Sequence, residues 1–410
     1  MPKMYLEILK ENLLSRWKQA FIEFHLLEEF KNNITSEKYV PGVRYNLDDY
    51  GTPAFLQPEE KVFPVGRVRE LGDFHFYGFT ADGLPSYTSY AHSVNKQYWG
   101  GYYTYGKEWV EYIEYNLNTR IPSSIKRIQF DAHGRKIAYQ SLIVNSRGSD
   151  ASYEDMTNEE KIHTIIDNEH AMFCNLEHYE IVDGRIVRAD CLSIVPGAGE
   201  SKYENIYTYD ESGELTEIRH VYETGLSQLA YVKPDTGLDV HVLIDTVAEL
   251  MAAAIVDTLV EDGVEAPLAL LELNYHCVDV YIPSLSPRSV AFTKKISDQH
   301  PDEDIFDLIF LATELDHPFL DINREQFERP FTQLMTIIRR EEKWEMGTLM
   351  LRKVAHILTT TRLSGRIPVG EEFAAYAVDW SMEMEDFEDV LRECGATATA
   401  IASWKERGWL

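Results

Sequence analysis

Four short stretches of this chain share one form: a strand-like run ends in an acidic residue, and a glycine follows within three positions. They are Phe79-Thr80-Ala81-Asp82-Gly83, Phe130-Asp131-Ala132-His133-Gly134-Arg135, Ile181-Val182-Asp183-Gly184-Arg185 and Tyr209-Asp210-Glu211-Ser212-Gly213-Glu214. Asp-Gly supplies the positive backbone angles that a two-residue hairpin requires, and Asp-x-x-Gly suits a longer turn closed by a left-handed glycine. The flanks are β-branched and aromatic, as in Glu204 to Tyr209 and Leu215 to Tyr222. Hairpins following one another in this way predict an antiparallel meander.

The stretch from Phe74 to Tyr115 is dense in Phe, Tyr and Trp, which pack well on a pleated, half-buried surface. Within it, the run from Tyr98 to Gly106 admits two readings. Trp99 and Tyr103 form a stacking platform for a sugar, base or peptide, or they make aromatic cross-strand pairs around glycine.

Leu6, Leu9, Leu13, Trp17, Ala20, Phe24 and Leu27 recur at steps of three and four, so the chain opens with a helix, and Pro41-Gly42 ends it or its extension. A second helix is expected from Met156 to Glu177, inserted between hairpins, with Thr157-Asn158-Glu159-Glu160 as its capping box. The turn-rich Lys233-Pro234-Asp235-Thr236-Gly237 marks a joint. Beyond it, helical periodicity dominates around Leu243 to Thr258, Phe327 to Ile338, Leu351 to Leu358 and Trp380 to Leu391, with strands at Pro267 to Tyr275 and Phe373 to Val378. The expected fold class is α+β: an N-terminal helix region (1–45), an antiparallel hairpin-rich β domain (46–235) and a mainly helical α/β domain (236–410).

Length and charge narrow the setting. The chain has 410 residues and a formal net charge of −29, which disfavours nucleic acid and anionic membranes and favours a basic partner. From Lys61 to Gln140 there are ten Lys and Arg against seven Asp and Glu, so the negative excess falls outside that stretch. The mixed charges of the first residues offer no apolar signal-peptide core, and no apolar run reaches the ~18 residues that span a bilayer. Cys174, Cys191, Cys277 and Cys394 form no close pair, which fits a reducing compartment. A cytoplasmic location is expected.

Two resemblances follow from quoted segments. The hairpins, Tyr209-Asp210 to Gly213 and Leu215 above all, resemble the tyrosine-aspartate repeats of bacterial toxin-associated shells. The half from Leu243 onward resembles an uncharacterised family of bacterial cytosolic domains associated with toxin systems, some of whose relatives are immunity proteins. The segments that carry this likeness are Leu271 to Tyr275, Tyr281-Ile282-Pro283, Tyr376 to Asp379 and Trp404 to Trp409. This resemblance implies binding rather than chemistry.

Candidate chemistry is sparse. His163, His170, Cys174 and His178, at steps of seven, four and four, would share one stripe of a continuous helix and suggest a metal site, or an ordinary helix face with a buried cysteine. Asp302, Glu303, Asp304 and Asp307, with Glu314, Asp316 and His317, suggest a hydrolase site or helix-start acids. No phosphate-loop, nucleophile-elbow or His-Glu-x-x-His signature occurs and no cofactor is expected. The leading expectation is a protein-binding module of immunity or antitoxin type. Its acidic face, Glu383, Glu385, Asp386, Glu388 and Asp389, would cover a basic toxin domain, with aromatic residues as anchors. The alternatives are a metal-dependent hydrolase and a structural protein that binds peptide or glycan.

Overall fold

The computed structural model of the chain describes residues 2–40, 47, 74–92, 97–145, 153, 155–168, 171–276, 280–300, 305–310, 319–341, 343–379 and 387–410. The fold is α+β and divides into two compact units, Met1–Ala230 and Tyr231–Leu410. Among the described residues no helix is long and apolar enough to cross a membrane.

The first unit begins with α1 (Pro2–Ala20) and α2 (Leu26–Asn32). Strands β1 (Ser36–Val40), β2 (Phe74–Phe79), β3 (Pro85–His92), β4 (Gln97–Tyr105), β5 (Trp109–Asn116) and β6 (Ile121–Phe130) follow. Then come β7 (Lys136–Val144), helix α3 (Asn158–Ile166), β8 (Met172–Val182), β9 (Arg185–Val195), β10 (Gly199–Tyr209), β11 (Leu215–Tyr222) and β12 (Ser227–Val232). All twelve strands lie in one sheet in chain order, the meander that the turns predicted.

Those turns form as their residues dictate. Asp131 Oδ1 accepts from the amides of His133 (2.8 Å) and Arg135 (2.9 Å), and Asp210 Oδ1 accepts from that of Glu214 (2.9 Å). Asp183 and Gly184 both take positive φ, at 50° and 78°.

Alternation along the strands sorts side chains to two faces. One face carries Tyr102, Ile113, Tyr115, Ile125, Ala138, Leu142, Cys174, Leu176 and Leu192, and α1 packs onto it through Leu6, Leu9, Leu13, Trp17 and Ala20. Trp17, fully buried, donates its indole N–H to Pro122 O (2.9 Å).

Three expectations are corrected. The opening helix is not continuous. It stops at Ala20, whose carbonyl accepts from the Tyr115 hydroxyl (2.9 Å), while Phe24 turns in to meet the Tyr115 ring edge-on at 5.3 Å. The inserted helix keeps its capping box, with Glu160 N–H donating to Thr157 Oγ1, but ends at Ile166 rather than Glu177. Residues from Met172 onward are strand β8, paired with β7 and β9. The N-terminal helix is no separate region, since it shares one core with the sheet.

The second unit has α4 (Val240–Glu261), β13 (Leu268–His276), β14 (Val280–Ser289), α5 (Val290–Gln299), α6 (Phe306–Phe310), α7 (Glu328–Glu341), α8 (Glu345–Thr360), β15 (Val369–Asp379), α9 (Phe387–Glu393) and α10 (Ala398–Glu406). Its small sheet has the order β14-β13-β15, with β13 antiparallel to β14 and parallel to β15. A parallel pair needs a long crossover, which the intervening helices supply. Strand β14 was not anticipated, because Pro283 and Pro287 interrupt its pattern; it lies at an edge, where proline is tolerated.

Inside this unit Arg288 and Glu272, 0% and 1% exposed, meet at 3.5 Å. Burial pushes the Glu272 carboxyl up to about 7 against the pull of Arg288, and Asn274 donates to its other oxygen (3.2 Å).

Two measurements check this packing. A Cβ at Gly347 on α8 would lie 2.3 Å from the buried Tyr281 ring. Gly347→Ala, which would stabilise an open helix by about 0.5–1 kcal/mol, should instead cost about 1–3 kcal/mol in thermal unfolding. Separately, burial lowers His220 to about 4, so it is neutral in the fold and charges on unfolding. Stability present above pH 6.5 is therefore lost as pH falls toward 4, by up to roughly 3 kcal/mol. Denaturant titrations across that range should show a shallower loss in His220→Gln.

Candidate functional site

The sheet face opposite α1 holds an organised polar group. His75, Tyr77, Thr88, Tyr90, Trp99, Tyr103, Tyr112, Glu114, Ser124, Lys126 and Ile143 line a cavity of about 280 Å³ there. Registers bring them together: His75 pairs with Tyr90, Tyr90 with Trp99, Tyr103 with Tyr112, Glu114 with Ser124, and Ser124 with Ile143.

One wall is a ladder of rings. His75 stacks on Tyr90 with centroids 4.2 Å apart and planes 13° apart, and Tyr90 stacks on Trp99 at 5.3 Å and 27°. Opposite registers bring Tyr103 to Tyr112 at 4.7 Å. Ile143 and its cross-strand partner Phe173, 44% and 39% exposed, continue an apolar surface from the cavity's edge.

The floor is polar and fixed. Tyr112 donates its hydroxyl to Glu114 Oε2 (2.9 Å), and Ser123 Oγ donates to Glu114 Oε1 (3.2 Å). With that proton committed, the Thr88 hydroxyl donates to the Tyr112 oxygen at 3.0 Å. Burial raises the Glu114 carboxyl above its ordinary value, while the two hydroxyls and the nearby Lys126 ammonium pull it down. Burial, then the Glu114 charge, raises the Tyr112 phenol well above 10, so it remains a donor at neutral pH.

Gly101 makes the arrangement possible. A Cβ there would lie 2.6 Å from the Tyr112 ring and hydroxyl and 2.8 Å from Ile113 O. Tyr112 thus crosses strand β4 through the space a side chain would fill. One polar atom stays unsatisfied: Ser124 Oγ, on a residue 7% exposed, has no hydrogen-bond partner among the described residues.

Of the aromatic pair expected from sequence, Trp99 is half-buried and Tyr103 is 3% exposed, and both line this cavity. Glu114, Ser124 and Lys126 were missed. The only trace of them in the sequence is the alternation of β5 and β6, which becomes informative once the register is known.

The histidine–cysteine stripe is not one helix face. His163 lies on α3, while Cys174 and His178 lie on β8, and His170 falls outside the described residues. A spacing of four places residues on one face of a strand as well as of a helix, which is why Cys174 and His178 looked helical. Cys174 packs under α1, and burial pushes its thiol up to about 12, away from thiolate chemistry. His178 sits 4.6 Å from the Tyr5 ring and 4.0 Å from Asp190, and burial lowers its pKa. No group of three or more metal-ligating residues occurs among the described residues.

In the second unit, Glu388 and Asp389 lie on α9, while Glu383, Glu385 and Asp386 fall outside the described residues. Glu388 is ion-paired with Arg392 and Lys405, and Asp389 with Arg392 at 2.8 Å. Asp302, Glu303, Asp304, Glu314, Asp316 and His317 also lie outside the described residues, and Asp307 is on α6.

The cavity can offer aromatic surface and polar groups to a ligand. Among the described residues its lining holds one carboxylate, Glu114. If Gly101 provides the room for Tyr112, Gly101→Ala should destabilise the first unit by about 1–3 kcal/mol in thermal unfolding. Unchanged unfolding would show that Tyr112 has room without the glycine.

No family model matches this chain, and no curated protein matches it either.

Proposed function

We propose that this chain is a binding module whose ligand, a peptide or glycan, enters the aromatic cavity of the twelve-stranded sheet. One observation carries the reading. A stacked ring wall, a carboxylate held by two hydroxyls and a buried hydroxyl without a partner converge on one hollow. Packing alone explains cross-strand rings. It does not explain a desolvated hydroxyl left unpaired beside them, which costs about 1–3 kcal/mol unless something pairs with it. Fixed polar groups set beside aromatic rings in one hollow are the ordinary composition of a ligand site.

The acidic-face reading, an immunity-type factor covering a basic toxin domain, has less support. Its two described members already hold cations of the same unit, so their charge is partly spent within the protein. The metal-hydrolase reading loses its helical stripe, since Cys174 and His178 are strand residues beneath α1.

Purified protein applied to immobilised peptides and glycans should bind a restricted subset. Trp99→Ala should abolish that binding while leaving the circular dichroism spectrum unchanged, because Trp99 is only half-buried. Binding that survives Trp99→Ala would place the site elsewhere.

A further inference from the structure

We propose that the cavity recognises one neutral pyranose ring, free or as the end unit of a glycan; this rests on the binding reading and names its ligand class. Charge is the first discriminator. Glu114 and Lys126 both face the same hollow of about 280 Å³. An anionic ligand meets the carboxylate and a cationic one meets the ammonium at short range. A hydroxyl suits both, because it donates and accepts.

Hydrogen-bonding capacity is the second. A carboxylate offers about four lone-pair sites, and Tyr112 and Ser123 occupy two on Glu114. Ser124 Oγ has its whole capacity unused among the described residues. Glu114 and Ser124 are cross-strand partners on β5 and β6, so neighbouring hydroxyls on a sugar ring can bridge them once a χ1 rotation turns the buried Ser124 Oγ toward the cavity.

The wall supplies the third. Trp99, half-buried at the end of the His75–Tyr90–Trp99 ladder, gives the hollow aromatic surface against which the weakly positive C–H face of a pyranose can pack. A volume just under the ~300–1,000 Å³ of common ligand pockets suits one ring better than a chain.

Two other classes fit less well. A peptide that binds by adding a strand needs a free sheet edge, whereas β2 to β7 are paired on both sides. A nucleotide brings phosphates toward Glu114 and toward a chain of net charge −29.

The test titrates the full chain with glucose, galactose, mannose, N-acetylglucosamine and their disaccharides, read by tryptophan fluorescence and saturation-transfer NMR. At least one pyranose should bind, and Trp99→Ala should weaken it at least about tenfold. Glu114→Gln should weaken it about tenfold or more, and Ser124→Ala about two- to tenfold. Ser124→Ala also guards against misfolding, since removing an unpartnered buried hydroxyl should leave the free protein's unfolding midpoint unchanged or higher. If immobilised peptides bind in a Trp99-dependent way and no pyranose binds at millimolar concentration, the sugar assignment is wrong and the binding reading stands. If neither sugars nor peptides respond to Trp99→Ala and Ser124→Ala, both fall.

Discussion

The first unit depends on the burial of α1 against one face of a twelve-stranded sheet. An antiparallel sheet must hide at least one face, and the apolar stripe of α1 from Leu6 to Ala20, joined by Leu27 and Phe30 of α2 and Ile165 of α3, supplies the cover here. Polar links fix the helix in place. The Glu111 carboxylate, 1% exposed, accepts from Arg16 Nε of α1 (2.9 Å) and Arg127 Nε of β6 (2.9 Å). Arg16 also reaches Glu23, 2.7 Å away, which accepts from the Tyr102 hydroxyl. Removing one member of a buried ionic group strands the charge of the others, so the arrangement specifies how the helix sits as well as contributing to stability.

That cover determines where a site can form. Strand alternation means that each residue committed to α1 sends its neighbours to the other face. Tyr102 stacks on Phe30 under the helices at 4.6 Å, and Tyr103, the next residue, lines the cavity. Ile113 belongs to the helix-covered core, while Tyr112 and Glu114 on either side of it form the cavity floor. The cavity and the core are two outcomes of one alternating pattern.

Features with local causes were legible in the sequence. The four acidic-glycine turns, the Thr157–Glu160 capping box and the leucine stripe of α1 each depend on residues within a turn or two of one another. Trp99 and Tyr103 were legible as candidates because aromatic density is a compositional signal. Other features required knowledge of pairing. Glu114, Ser124 and Lys126 meet only through the β5–β6 register, which a one-residue slip would reverse. Strand β8 was misread because the four-residue spacing of Cys174 and His178 satisfies both periodicities, and β14 because its prolines make sense only at a sheet edge.

Unpartnered polar atoms occur in both units, and their surroundings separate them. Arg288 Nε, Ser286 Oγ and Asn274 Oδ1 are unsatisfied among the described residues, but they surround the Glu272–Arg288 pair. Arg288 there also donates to the carbonyls of Leu308 (2.6 Å) and Ile309. In that packed layer a charge pair and two backbone carbonyls consume most of the capacity, and small imperfections remain at its margin. Ser124 differs in kind. Its neighbour Glu114 is already oriented by two hydroxyls, the wall beside it is aromatic, and Ser124 itself lines a hollow beneath whose surface its Oγ lies. A polar remainder inside a core reflects imperfect packing, whereas one that borders an organised hollow is a vacant half of a hydrogen bond that a ligand can complete.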